Sequence, residues 1–221
     1  MPYKSLKFWK FESAGNDFIM IDNRSGFFRL TQKEIEQMCC RRFGIGADGM
    51  ILLERHDTLD FRMRYFNSDG LESTFCGNGG RAICGFARSL RFPGKEFEFE
   101  AADAIHHATI KSQTKLRWTV ILSMKDIEVD NRSMINSGSP HHMVYTDDIA
   151  NMDVTTRGRE IRNSPKFAPG GCNVNFMMKI DEKLYVRTYE RGVEDETLSC
   201  GTGVTAAAVF HHLDDPDGQY K

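Results

Sequence analysis

Two cysteines in this sequence stand at the same point of a repeated motif. Cys200 opens a Cys-Gly-Thr-Gly sequence and Cys76 opens a Cys-Gly-Asn-Gly sequence, and an apolar stretch follows each of them. Both stretches predict buried helices, which places each thiol where a helix begins. A helix N-terminus has unpaired N–H groups and about half a positive charge, so it attracts carboxylates and lowers the pKa of a thiol. The pattern therefore predicts two activated thiols beside anion-binding helix starts.

The segments around the two cysteines repeat in the same order. Cys200 follows Cys76 by 124 residues, and Arg187 follows Arg64 by 123. Two glycine-containing turns repeat at offsets of 124 and 125. Four such correspondences indicate two similar halves, although glycine-rich turns also resemble one another by chance. We predict an N-terminal half at 1–124 that carries Cys76, and a C-terminal half at 125–221 that carries Cys200.

Two equivalent thiols favour acid/base chemistry at one carbon, because a single nucleophilic cysteine needs a separate partner base. If the helix starts face one cleft, one thiolate could remove a proton while the opposite thiol delivers one to the other face, which inverts a stereocentre. Amides near Gly77–Asn78 and Gly201–Thr202 would hold the substrate carboxylate and stabilise its developing charge. The sequence offers no lysine in a convincing pyridoxal-phosphate context, so we favour a reaction without a cofactor.

The bulk composition argues against several classes of protein. The net charge of −2 gives no reason to expect nucleic acid or a membrane surface as a partner. No apolar run approaches the roughly 20 residues of a membrane span, and the N-terminus lacks the apolar core of a signal peptide. The six cysteines contain no Cys-x-x-Cys pair, so we expect reduced thiols and a cytoplasmic protein.

Metal and nucleotide sites are not favoured either. Three pairs of adjacent histidines occur, at 106–107, 141–142 and 211–212. Neighbouring residues on a strand point to opposite faces, and no His/Cys/carboxylate set has zinc-like spacing, so we predict no metal site. The glycine-rich turn at 44–49 lacks a following Gly-Lys-Ser/Thr and leads into a strand, which argues against a phosphate loop.

Residue patterns predict the elements that would position the thiols. Strands are expected at 8–12, 18–21, 50–54, 61–66, 95–101, 104–111, 116–123, 174–180 and 183–189. A capping box at Thr31 and Glu34 predicts a short helix that Gly44 ends. The polar segment 124–136 is the expected crossing between the halves, and the second half should restart at about Ser137.

Eight motifs in this order resemble those of the diaminopimelate epimerase family, from about residue 8 to 210. They lie at 15–18, 44–49, 66–70, 76–79, 138–141, 173–176, 189–192 and 200–203. The resemblance implies an α/β fold of the α+β type with two pseudo-symmetric halves. Each half would be a curved, mostly antiparallel sheet wrapped on a central helix, with the active site in the cleft between them. It also implies interconversion of LL- and meso-diaminopimelate without pyridoxal phosphate.

The resemblance further implies roles for individual residues. Cys76 and Cys200 match the two acid/base thiols. Substrate-binding positions match Asn16, Asn67, Gly77, Asn78, Asn173, Glu190, Arg191, Gly201 and Thr202. The pair Glu190–Arg191 suits an ammonium and a carboxylate at the distal end of the substrate, while His141 and Ser139 take supporting roles. Family members are often dimers, so a homodimer is expected.

The sequence departs from the family pattern at four points. Ser139 stands where many members have asparagine, so one substrate hydrogen bond should come from a shorter side chain or through water. Gly49 stands where some members have glutamine, and the acidic loop 192–196 is one residue longer than usual. Members also continue past the second helix with further strands, the last of which returns to the first half. A chain shortened at Lys221 is expected to be less stable and less active.

Three alternatives stay open. Another cofactor-independent racemase or epimerase of this fold, such as one acting on proline derivatives, would not need the Glu190–Arg191 pair. A non-catalytic remnant would bind diaminopimelate without exchanging its α-hydrogen. A thiol redox or peroxidatic protein would lose thiols rapidly with peroxide, and substrate would not protect them.

Overall fold

A computed structural model describes residues 5–73, 75–124, 126–131 and 134–214. The chain divides into two compact units, Met1–Ser123 and Met124–Lys221. Each unit has its own sheet and its own helices, so each is described separately.

The first unit is a seven-stranded sheet whose strands are neighbours in chain order. They are β1 (Trp9–Ser13), β2 (Asn16–Asp22), β3 (Gly49–Glu54), β4 (Phe61–Asn67), β5 (Glu96–Glu100), β6 (Ile105–Gln113) and β7 (Trp118–Leu122). The β2–β3 and β4–β5 pairs are parallel and the other four are antiparallel. The sheet is therefore mostly antiparallel, as predicted.

Two helices cover opposite faces of β2 and β3. Alternate strand residues pack on α2 (Gly77–Ser89), and the residues between them pack on α1 (Gln32–Cys39). This explains why 18–21 and 50–53 are continuous apolar runs with no exposed position. Helix α2 is the buried central helix, because Ile83, Phe86 and Ala87 have no solvent exposure.

The second unit is a six-stranded sheet in the order β13-β12-β11-β10-β9-β8. The strands are β8 (Glu128–Asn131), β9 (Met134–Asn136), β10 (Pro140–Tyr145), β11 (Asn173–Ile180), β12 (Lys183–Glu190) and β13 (Asp195–Thr197). Only β10 and β11 are parallel. Helix α3 (Val154–Arg162) packs against Val174 and Phe176 of β11, and α4 (Gly201–Asp214) packs against Met177 of the same strand.

The two units repeat the same local construction. In each, a helix connects two parallel strands, and a second helix follows the cysteine. A bidentate ion pair also recurs. The Arg64 guanidinium binds Glu72 at 3.1 and 2.7 Å, and the Arg187 guanidinium binds Glu196 at 2.6 and 2.7 Å. Each pair ties the segment that leads to the cysteine back onto the preceding strand, so the repeat deduced from sequence is a structural one.

Several elements differ from the sequence-based expectations. The capping box of α1 is present, but the helix ends at Cys39, five residues before Gly44. The segment 124–136, expected as a crossing, contains β8 and β9. Helix α3, strand β10 and strand β13 were not predicted. No described helix is both long and apolar enough to span a membrane.

Candidate active site

The first candidate thiol lies at the N-terminal cap of the central helix. Cys76 has an extended backbone, and its carbonyl oxygen accepts the N–H of Gly80 at 2.8 Å. Gly79 lets this helix start approach the sheet, since a Cβ there would lie 2.8 Å from Ile51 Cδ1. The half-buried thiol therefore stands at the positive end of the helix, although its side chain makes no cap hydrogen bond with the first-turn amides. The sequence predicted this placement.

A chain of side-chain hydrogen bonds joins this helix start to the ends of β2 and β3. Asn78 Nδ2 donates to Asn16 Oδ1 at 2.8 Å, and Asn16 Nδ2 donates to Asp48 Oδ2 at 3.0 Å. Arg41 then bridges Asp48 and Asp17 at 2.6 and 2.7 Å. Asn16 is thus held at both ends of its amide and keeps one N–H that it can direct to a ligand.

Asn67 ends β4 opposite Gly49 of β3. Its N–H donates to Leu71 O at 3.0 Å, and its carbonyl accepts the N–H of Gly70 at 2.9 Å. Glycine at position 49 is required by this packing, because a Cβ would lie 2.5 Å from the backbone oxygen of Phe66. The departure from the family pattern at this position therefore has a local steric cause.

The second candidate thiol lies at the start of α4. Cys200 is 8% exposed, and its carbonyl accepts the N–H of Val204 at 2.9 Å. Burial raises the pKa of the thiol to about 11, and the charge of Glu190 adds to that rise. The Thr202 hydroxyl, 3.4 Å from the sulfur, and the amides of Thr202 and Gly203 oppose the rise but do not cancel it. The sequence-based expectation of a lowered pKa is therefore wrong for Cys200, because desolvation outweighs the helix start.

His141 connects Thr202 to the interior of the second unit. Its ring is fully buried, with Nε2 2.9 Å from Thr202 Oγ1 and Nδ1 3.0 Å from Asn175 Nδ2. Asn175 in turn accepts a hydrogen bond from the Thr188 hydroxyl at 2.8 Å. Because Asn175 donates to Nδ1, the neutral ring carries its proton on Nε2 and donates it to Thr202. The Thr202 hydroxyl can then direct its own proton to the Cys200 sulfur.

Burial lowers the pKa of His141 to about 4 from its ordinary value of 6.5, and the nearby Arg191 charge assists. Between pH 4 and pH 6.5 the folded state therefore binds fewer protons at His141 than the unfolded state does. The resulting stability is fully present above pH 6.5 and is lost as the pH falls towards 4.

We expect urea unfolding to show a loss of at most about 3 kcal/mol in the free energy of unfolding from the protonation of His141. His141→Gln should remove this loss, and His142→Gln should keep it. Equal pH dependence in wild type and His141→Gln would contradict the assignment.

Asn173 positions other site residues. Its Nδ2 lies 2.9 Å from Ser139 Oγ and 3.4 Å from His141 Nε2, and its Oδ1 accepts the N–H of Arg191 at 2.8 Å. The side chain is 3% exposed. In this structure Asn173 thus orients Ser139 and the Glu190–Arg191 segment, so any contact that it makes with a ligand would be additional to these bonds.

The longer acidic loop after Arg191 is held by Glu194. Its carboxylate accepts hydrogen bonds from the Gly192 N–H at 2.9 Å and the Tyr189 hydroxyl at 3.1 Å, and it pairs with Arg162 at 2.8 Å. The extra acidity of the loop is therefore largely engaged within the second unit.

Each unit gathers its own share of the predicted site residues. Cys76 lies with Asn16, Gly77 and Asn78, while Asn67 lies at the end of β4. The predicted site residues in the unit that carries Cys200 are Ser139, His141, Asn173, Glu190, Arg191, Gly201 and Thr202. Sequence reasoning missed Asp48, Arg41, Asn175 and Thr188. Asn175 and Thr188 were visible as polar residues inside apolar strands, which is the signal that could have identified them.

A metal cluster and a cavity are the other features that could form a site. Within the described residues, no group of three or more His, Cys, Asp or Glu side chains could hold a metal ion. A cavity of about 960 Å³ lies along β1, α2 and the β6–β7 hairpin, and Trp9, Phe11 and Trp118 line it together with other residues, none of them a cysteine. That cavity therefore does not coincide with either thiol.

Comparison with known proteins identifies relatives over almost the whole chain. The family model described as diaminopimelate epimerase matches residues 8–126 and 133–219. The diaminopimelate epimerase of Flavobacterium psychrophilum is 47% identical over 210 residues, covering 92% of this chain and 80% of that protein. The diaminopimelate epimerase of Chlorobaculum tepidum is 45% identical over 206 residues, covering 89% and 80%.

Solved structures share the fold at much lower identity. A phenazine biosynthesis protein of the PhzF family from Bacillus anthracis matches with a TM-score of 0.68 and 13% identity, covering 95% of this chain and 80% of that chain. At this level the likeness concerns the fold alone, which is mixed α/β with two pseudo-symmetric halves, each built on a curled sheet.

Proposed function

Because this chain belongs to the diaminopimelate epimerase family, we propose that it converts LL-diaminopimelate to meso-diaminopimelate with Cys76 and Cys200 as its acid/base pair. Family membership makes the chain an isomerase that acts on a small molecule. The specific substrate and the two-thiol chemistry are the proposal. They would serve the supply of lysine and cell-wall precursors.

The observation that carries the proposal is the equivalence of the two thiols. Each cysteine directly precedes a helix, and each carbonyl accepts the N–H four residues later, at 2.8 and 2.9 Å. In each unit the residue two positions after the cysteine bonds to the beginning of the first of the two parallel strands, as Asn78 bonds to Asn16 and Thr202 to His141. Nucleophilic catalysis needs one thiol and a base, whereas inversion of a carbon centre needs an acid and a base of similar strength. The duplicated geometry supports inversion.

The protonation states suggest how a turnover begins. Because burial raises its pKa to about 11, Cys200 is a neutral thiol at pH 7 and is suited to donate a proton. Cys76, which is less buried, is assigned as the base that removes the α-proton. After transfer the charges are exchanged, so Cys200 is left as a thiolate. The hydroxyl and amides that point to its sulfur would stabilise that form.

Polar groups near each thiol suit the rest of the substrate. First-turn amides at Gly77–Asn78 and Gly201–Thr202 can hold the reacting carboxylate and the charge that develops on it, where one well-placed donor is worth about 3 kcal/mol. Glu190 and Arg191 lie at the end of β12, and the negative charge of Glu190 is felt at Cys200. They suit the ammonium and carboxylate of a second amino-acid end, which favours diaminopimelate over proline derivatives.

We expect this chain to exchange the α-hydrogen of LL-diaminopimelate in deuterated buffer. Proton NMR should show loss of the α-proton signal together with appearance of the meso form, without added pyridoxal phosphate. L-proline and trans-4-hydroxy-L-proline serve as matched substrates and should show no exchange. Exchange of proline but not diaminopimelate would replace the proposal with the alternative racemase. Binding of diaminopimelate with no exchange would identify a non-catalytic binding protein.

Two further expectations remain proposals. None of the six cysteines, all in the described part of the chain, forms a disulfide, which fits a reducing cytoplasm. A homodimer is expected from the family resemblance, and sedimentation of the purified chain would test it.

A further inference from the structure

An aromatic column leads from the core of the first unit to the residue before Cys76. Its four rings are Phe61 of β4, Phe99 of β5, His106 of β6, and Phe75. Successive ring centroids are 5.0, 5.6 and 3.7 Å apart, with interplanar angles of 14, 28 and 16°. All three neighbouring pairs are therefore stacked, and the shortest contact is the one between His106 and Phe75.

Asp103 fixes the histidine within this column. His106 is 4% exposed, and its Nε2 lies 2.8 Å from Asp103 Oδ1. A buried imidazole is costly unless its polar atoms are hydrogen-bonded, so this bond restricts how the ring can turn. Because Phe75 and Phe99 both stack on the histidine, its plane determines where the Phe75 ring can lie.

Phe75 is also pressed against the first turn of α2. A Cβ added at Gly80 would lie 2.6 Å from Phe75 Cζ, so the ring rests directly on the helix backbone. Phe75 is thus held between His106 and the helix that Cys76 caps. Because Phe75 directly precedes Cys76 in the chain, loss of this ring position changes the packing of the backbone that enters Cys76.

The second unit holds its thiol differently. Ser199 occupies the place 124 residues after Phe75, and the preceding Leu198 is 89% exposed. No ring at this position can form a stack. Cys200 is instead contacted by Thr202, which His141 orients. The aromatic column is therefore specific to Cys76.

We propose that His106, fixed by Asp103, is a positioning residue for Cys76 that acts through Phe75. It is assigned no part in the proton transfer itself. Its effect on turnover rests on the proposed function, in which Cys76 is an acid/base group. Its effect on the placement of Cys76 does not, so the two can be tested separately.

The test compares His106→Leu, which removes the ring, with His106→Phe, which keeps it. Alkylation by iodoacetamide at pH 8, resolved by mass spectrometry of peptides, should be about tenfold slower at Cys76 in His106→Leu, because a displaced thiol moves away from the positive end of α2, which favours its thiolate. Cys40, a half-buried thiol outside the column, should react at an unchanged rate. The turnover number for diaminopimelate should fall about tenfold with KM within about threefold. His106→Phe keeps the stack and loses only the Asp103 bond, so both losses should be limited to about threefold.

Three results would overturn the proposal. The first is alkylation of Cys76 at the wild-type rate in His106→Leu. The second is an equal loss of alkylation rate and turnover number in His106→Phe and His106→Leu. The third is equal slowing of alkylation at Cys76 and at Cys40. If His106→Leu does not fold, Phe75→Leu breaks the same stack from the half-exposed side and should slow Cys76 alkylation to a similar extent. Because alkylation needs no substrate, it remains decisive even if the chain proves not to epimerise diaminopimelate.

Discussion

Replacing Cys200 by alanine should reduce epimerisation of diaminopimelate by about a thousandfold, and replacing Cys76 should do the same, since a positioned acid or base contributes between about a hundredfold and ten-thousandfold. Inversion needs both groups in every turnover, so loss of either stops it. The measurement is the initial rate of meso-diaminopimelate formation from the LL isomer, with binding followed separately by calorimetry. Substrate affinity should change little, because the carboxylate is held by amides.

The matched control is Cys40→Ala. Cys40 directly follows α1 and is half-buried. It does not lie at the start of α2 or α4, where the two Cys-Gly-x-Gly motifs stand. Its removal should leave the epimerisation rate within about twofold of wild type, as expected for a substitution away from the site. A Cys76→Ala variant that still epimerises at a wild-type rate would exclude the two-thiol mechanism. A loss of similar size in Cys40→Ala would indicate general damage to the fold.

The core of each unit could be predicted from sequence because its signals are local. Continuous apolar runs at 18–21 and 50–53 marked strands that are covered on both faces. The Cys-Gly-x-Gly motifs marked the starts of both main helices, since glycine there permits close approach of helix and sheet. The 124-residue offset then predicted that the second unit would repeat the first.

Helix α3 was missed because its sequence has weak helical propensity. It contains two adjacent threonines and Gly158 near its centre, and glycine costs about 1 kcal/mol relative to alanine in a helix. The structure gives the reason for the glycine, since a Cβ at this position would lie 2.3 Å from Tyr189 Cβ. Close packing between the helix and β12 overrides propensity here, and no local pattern reports such a contact.

The protonation state of Cys200 also could not be read from sequence. The motif correctly placed the sulfur beside amide donors, but the sign of its pKa shift depends on burial. Burial arises from tertiary packing between parts far apart in the chain, as the close approach of Gly203 to Asn175 of β11 and Thr188 of β12 shows. The hydrogen-bond chain through Asn175 and Thr188 is hidden for the same reason, because it joins β11 to β12 across the sheet.

Gly203→Ala should be among the most damaging single substitutions in the second unit. A Cβ at this position would lie 2.4 Å from Asn175 Oδ1 and 3.1 Å from Thr188 Oγ1. Asn175 cannot move aside without losing its bonds to His141 and Thr188, and it is fully buried. We expect a loss of about 3 kcal/mol in the free energy of unfolding by urea, and a fall of about a hundredfold in the epimerisation rate as Cys200 is displaced.

Gly79→Ala provides the matched comparison, because Gly79 is the equivalent residue 124 positions earlier. Its nearest neighbours are Ile51 Cδ1 at 2.8 Å and Met63 Cε at 3.0 Å, which are the ends of flexible side chains. These can yield, and alanine is a better helix former than glycine by about 1 kcal/mol, so the net loss of stability should be about 1 kcal/mol.

Removing the Asn175 side chain, which the new Cβ would strike, should separate the steric cause from a general intolerance of alanine at position 203. In Asn175→Ala/Gly203→Ala the Cβ has room, so the double variant should be more stable than the sum of the two single effects predicts, by about 1 to 2 kcal/mol. Epimerisation should stay low, because His141 would still lack its partner at Nδ1. Simple additivity, or equal losses in Gly203→Ala and Gly79→Ala, would contradict the inference that α4 begins in direct contact with the Asn175 amide.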